Sequence, residues 1–182
     1  MHPTVQMRDV WTIPDLAELD VPDWWRYEIL DGALVVTPSA GRAHEYAGEE
    51  LRARIRAAQP DQWTVLGPIG VTVDTGSYFI PDLVVTDRTV LAGAGDLAPA
   101  EVHLAVEIES PGSASMDRIV KPAKFAAAGI PHYWRLETEP LRLSAYRLDG
   151  GVYSEVGVWA ADETATLTQP FAIAVEISTL LA

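Results

Sequence analysis

The segment from Phe79 to Trp134, FIPDLVVTDRTVLAGAGDLAPAEVHLAVEIESPGSASMDRIVKPAKFAAAGIPHYW, constrains this chain more than any other. Two apolar runs, LVVTD and HLAVEIE, have the β-branched content of strands. A helical stretch follows and stops at Gly129, with Pro131 just beyond. Pro81 cannot donate a ladder hydrogen bond, so it marks a strand start, edge or bulge and puts Asp82 at a strand mouth. In HLAVEIE, Leu104, Val106 and Ile108 share one face while Ala105, Glu107 and Glu109 share the other. Two acids on one buried strand face repel each other, so that face is either solvated or opposed by a cation.

The cations are unusual in kind. Of 13 basic residues only Lys121 and Lys124 are lysine, and both belong to the helix after the second strand. Lysine is a compact point charge whose pKa responds readily to its surroundings, which suits it to a reactive site. Asp117 stands one helical turn before Lys121 and is spaced to pair with it. Pro122 disrupts a helix interior by about 3 kcal/mol, so the helix is expected to start near Lys121 or to kink there.

The flanking chain supplies supporting elements. TIPDLAEL from Thr12 to Leu19 has the Thr, Pro and early acids of a short capped helix. RYEIL and ALVV flank Asp31-Gly32, which predicts a hairpin, and regular alternation turns Glu28 away from Tyr27 and Ile29. Position alone favours solvent for Glu28. From Ser39 to Gln59 the recurrence of Ala43, Ala47, Leu51, Ile55 and Ala58 predicts an amphipathic helix. His44, Glu45 and Glu49 lie near its start, and Arg52, Arg54 and Arg56 form a solvated face near its end. WTVLGP, GVTVD and YFIPDLVVTD read as strands leading into the central sheet, and Leu91 to Pro99 as a surface loop. After Trp134 come a core strand, a hairpin turning at Asp149-Gly150-Gly151, and a closing apolar segment in which Glu176 is structural.

A chain of 182 residues supports one good core, so a single domain over 1–182 is expected. There is no cysteine, so disulfides and thiolate zinc are excluded and any metal is held by oxygen or by the four histidines. Neither a signal peptide nor a run of about 18 apolar residues occurs, which predicts a cytoplasmic location and no membrane contact. The net charge of -13 argues against strong non-specific polyanion binding. Cations bound at an acidic site offset part of that charge locally.

Hydrolysing a phosphodiester needs a cation against the developing charge and an activated water. Asp82, Glu107 and the carbonyl after Glu107 form an oxygen set suited to Mg2+ or Mn2+. Lys121 can orient or activate the water and steady the pentacovalent charge.

YEILDGALVV, His44, Pro81-Asp82, VEIESP, Asp117, Lys121 and GIPHYW occur in the order of the PD-(D/E)xK nuclease superfamily. The longer pattern most closely resembles the Uma-type branch of restriction endonucleases. The resemblance implies a mixed α/β (α+β) fold: a restriction-endonuclease-like core whose mixed central sheet is flanked by helices. Hairpins are added before and after that core. It implies Asp82 and Glu107 as metal ligands and Lys121 at the nucleophile, with Glu28 and Glu109 supporting and His44 and Asp117 as further supporting residues. Glu109 stands where the wider superfamily has its strand lysine, and Phe125 where this branch commonly has tyrosine. The implied activity is Mg2+-dependent cleavage of DNA, with a homodimer expected for cutting two strands. Trp24, Trp25 and the C-terminal hairpin are the candidate apolar patches. The competing expectation is an inactive descendant of the same fold that binds protein or nucleic acid.

Overall fold

The computed structural model describes residues 8–19, 25–38, 40–109 and 114–182. The N-terminal helix α1 (Ile13–Ala17) is short. Its Asp15 carboxylate takes both the Thr12 amide at 2.7 Å and the Thr12 hydroxyl at 2.6 Å. Strands β1 (Trp25–Leu30) and β2 (Ala33–Pro38) form the expected hairpin, pairing Leu30 with Ala33. Asp31 and Gly32 take φ of 49° and 79°, the positive pair that a two-residue turn between twisted strands demands. Trp24 lies outside the described residues.

Helix α2 (Arg42–Ala58) follows, its Ala47, Gly48, Leu51 and Ile55 buried and Ala43 exposed. Its expected start at Ser39 lies outside the described residues. Arg54 pairs with Glu50 at 2.7 Å, and Arg52 with Glu49 at 3.3 Å, so the arginine face is occupied with helix-surface ion pairs.

YFIPDLVVTD is divided between two sheets rather than forming one strand. Strands β3 (Trp63–Leu66), β4 (Val71–Asp74) and β5 (Ser77–Phe79) are followed by β6 (Leu83–Asp87). β5 joins a four-stranded sheet in the order β2-β1-β5-β4, whereas β6 pairs with β3 in the central sheet. The crossing falls at Ile80-Pro81-Asp82, where the proline removes the amide that a continuous ladder would need. Gly67 makes the crossing possible: a Cβ there would stand 2.2 Å from the Asp82 carbonyl oxygen.

The central sheet also contains β7 (Val102–Glu109), β8 (His132–Thr138), β9 (Leu141–Asp149) and β10 (Val152–Ala160), in the order β10-β9-β8-β7-β6-β3. β7 and β8 are parallel, with helix α3 (Lys121–Ala127) on the connection between them; the other neighbouring pairs in this sheet are antiparallel. The sheet is therefore mixed, as expected. A last hairpin of β11 (Thr164–Leu167) and β12 (Ile173–Glu176) packs with α2 on one face, around Leu104, Val106, Ile108 and Trp134. On the other face Phe125 of α3, Phe79, Val84, Ala105 and Tyr133 form a second core. The alternation read in HLAVEIE thus separates the two cores and sends Glu107 and Glu109 to the α3 side.

A π-helical turn at Met116–Val120 leads into α3, with the Lys121 amide bonded back to the Met116 carbonyl. Pro122 lacks the amide that an α-helix would direct at residue 118, and its ring crowds that carbonyl, so the chain widens one turn there. Ser115 is already helical, and the alternative cap Ser113 lies outside the described residues. Among the described residues no helix is long and apolar enough to cross a membrane.

Candidate active site

Five elements deliver side chains to one cavity of about 590 Å3: β1 brings Arg26 and Glu28, α2 His44, the crossing before β6 Asp82, β7 Glu107, and the turn into α3 Asp117 and Lys121. Lys121 is 3 % exposed, and its Nζ lies 2.9 Å from Glu107, 3.1 Å from Glu28 and 3.7 Å from Asp117. Burial works against the ammonium charge, but Glu107, Glu28 and Asp117 together outweigh it and hold its pKa above the ordinary lysine value. Lys121 is therefore a fixed cation at neutral pH.

Asp82 is held from three sides. Arg26 Nη2 donates to its Oδ1 at 2.7 Å, the Ile108 amide donates to Oδ2 at 2.8 Å, and His44 Nε2 lies 3.2 Å from Oδ2. Burial opposes its ionisation, but the hydrogen bond from His44, the Arg26 charge and the Ile108 amide hold its pKa well below the carboxylate range. Glu28 is 3 % exposed and accepts the Ile80 amide at 2.8 Å, which ties β1 to the sheet crossing. Position alone favours solvent for Glu28 and the resemblance implies a site; the side chain is inside, where a backbone donor and a lysine from distant elements meet it.

Glu107 differs from Asp82. Burial drives its pKa well above the usual range; Lys121 pulls it down, but Asp82, Asp117 and Glu28 add to the rise. Among the described residues that line the cavity, four buried carboxyl groups (Glu28, Asp82, Glu107, Asp117) face the two cations Arg26 and Lys121, so acids outnumber arginine and lysine two to one. A carboxyl whose pKa is raised on folding contributes stability below its unfolded pKa and loses it as pH rises through the folded pKa. Glu107→Gln copies the protonated form. It is expected to melt a few degrees higher than the parent at pH 7 in EDTA, the scale of about 1 kcal/mol in a chain of this length. The gap should close as pH falls toward 4; a lower melting point for the variant at pH 7 would contradict this electrostatic account.

Glu109 does not line the cavity. Arg118 holds it bidentately, Nε to Oε2 and Nη2 to Oε1, both at 2.7 Å, and Arg135 lies 3.5 Å away. Arg135 and Arg142 also donate to buried Glu137, at 2.9 and 2.6 Å. Of the two alternatives for the Glu107/Glu109 face, solvent or an opposing cation, the structure takes the second: Lys121 for the first acid, arginines for the other. Phe125 is fully buried between Phe79 and Tyr133, at ring distances of 5.8 and 6.0 Å. The Tyr133 hydroxyl donates to the Asp117 carbonyl at 2.6 Å and so ties β8 to the turn that presents Asp117.

Arg26 was not among the sequence candidates. The available signal was its place two residues before Glu28, on the same strand face. Lys124 turns the other way from Lys121, to Asp31 and to Asp74 at 3.2 Å, fastening α3 to the tips of both hairpins of the smaller sheet.

No protein of curated function matches this chain. Among solved structures, the crystal structure of a putative nuclease belonging to DUF820 from Anabaena variabilis ATCC 29413 is similar, with a TM-score of 0.73 at 14% identity. The match covers 94% of this chain and 99% of that one. At that identity the likeness establishes a shared fold. A family model described as "Uma2: Putative restriction endonuclease" matches residues 13–180, and the chain belongs to that family.

Proposed function

We propose that this protein is a divalent-cation-dependent endonuclease that hydrolyses phosphodiester bonds in DNA. The observation that carries the reading is the meeting of Asp82, Glu107 and Lys121 in one cavity whose buried carboxylates outnumber its fixed cations. Among the described residues no three His, Asp or Glu side chains close into a ready cage. Two carboxylates supplemented by backbone and solvent oxygens are, however, the mixed set that Mg2+ prefers. Bound by Asp82, Glu107 and the Ile108 carbonyl, Mg2+ or Mn2+ would supply the Lewis acidity that charges a water and offsets the phosphorane.

The protein's own groups do the rest. Lys121 keeps its proton, so its part is to orient the attacking water and stabilise negative charge on the phosphorus centre, not to act as a base. Glu28 and Asp117 hold that ammonium in place beside Glu107. His44 and the Ile108 amide fix the Asp82 carboxylate. A homodimer with one site per protomer suits scission of both strands of a duplex.

Supercoiled plasmid incubated with the protein should be nicked and linearised in Mg2+ or Mn2+ and left intact in EDTA. Intact plasmid under every divalent cation, with a folded protein, would favour an inactive nuclease-fold module instead.

A further inference from the structure

Arg26 and Glu28 leave the same face of β1 and both line the cavity. The guanidinium spends one donor on Asp82 Oδ1 at 2.7 Å, its one hydrogen bond among the described residues. A guanidinium carries five N–H donors, so most of its capacity remains for whatever enters. The side chain is one-quarter exposed, in contrast to Lys121, which three carboxylates enclose.

Asp82 Oδ2 is fixed by the Ile108 amide and by His44. Oδ1 is the oxygen shared with Arg26, and a cation bound there competes directly with the guanidinium. Arginine's planar fork matches two oxygens of a phosphate.

We propose that Arg26 is a substrate-phosphate ligand: it yields Asp82 to the divalent cation and transfers its guanidinium to the non-bridging oxygens of the phosphodiester. This rests on the nuclease reading above. It makes Arg26 an antagonist of cation binding and a partner of DNA binding at once, two effects of opposite sign.

The test measures both equilibria on the full chain, without turnover. Mn2+ affinity is taken by calorimetry, and affinity for a short synthetic DNA duplex in Ca2+ by fluorescence anisotropy. Arg26→Gln should bind Mn2+ about tenfold more tightly, the effect of removing a unit charge a few ångströms from a divalent ion. It should bind the duplex about tenfold more weakly, with a salt slope smaller by about one. Arg26→Lys keeps the charge and loses the fork, so Mn2+ affinity should stay near the parent's while duplex affinity still falls. A merely structural role for Arg26 would weaken both equilibria together and would overturn the proposal, as would an Arg26→Gln variant unchanged in either. A parent that binds neither Mn2+ nor duplex would overturn the nuclease reading as well, whereas a parent that binds both leaves the fault with Arg26 alone.

Discussion

Lys121→Met is expected to lower stability by about 3–5 kcal/mol at pH 7, the scale found when one partner of a buried ion pair is removed. In a chain of this length that is a fall in melting temperature of roughly 10 °C. Glu28, Glu107 and Asp117 all lie within 3.7 Å of the ammonium, and methionine leaves them without it in a cavity where acids already outnumber arginine and lysine. The loss should shrink on acidification from pH 7 toward 5, because protonating Glu107, whose pKa is already raised, relieves the repulsion. Cleavage should fall by about a thousandfold or more, the range for removing a preorganised charge beside a developing oxyanion. Mn2+ binding should survive, since Asp82 and Glu107 are untouched. A variant that melts within 1 °C of the parent and still cuts plasmid would show that Lys121 is neither buried with these acids nor beside the nucleophile. Melting curves at two pH values and a plasmid assay decide the matter.

Much of this arrangement was legible in local pattern. Alternation in HLAVEIE put Glu107 on the face opposite Leu104, Val106 and Ile108, and the structure keeps that division between its two cores. Pro81 marked a break, and helical spacing set Asp117 and Lys121 on one side of a turn. Where local pattern stopped short, the cause was a long-range partner. For Glu28, position alone favours solvent and only the family resemblance implies a site, because nothing near it in sequence announces the Ile80 amide or Lys121 that receive it. Glu109 was grouped with Glu107 because strand periodicity gives both acids one face. Their environments separate only because Arg118 and Arg135 reach the second. Arg26 has little local signature for a related reason: its partner Asp82 is 56 residues away, across a change of sheet.

The two lysines also find an explanation. Lys121 faces inward, to the acids, and Lys124 faces the turns at Asp31 and Asp74. A single short helix thereby sets the buried cation of the cavity and braces the smaller sheet that supplies Glu28 and Arg26.

Distant elements assemble the acid-rich pocket that, on the proposed function, takes a hard divalent ion at Asp82 and Glu107. Ligands that bind only the folded state raise its stability by mass action. With Mn2+ at about ten times its Kd, the parent should gain roughly 1.4 kcal/mol, or about 3–5 °C in melting temperature. Asp82→Asn and Glu107→Gln should each abolish that gain while folding normally in EDTA. The most direct measurement is therefore the melting temperature of the parent and these two variants across an Mn2+ titration. The account predicts a saturable rise in the parent and flat curves in both variants; a flat parent curve at millimolar Mn2+, or a rise that persists without either carboxylate, would contradict it.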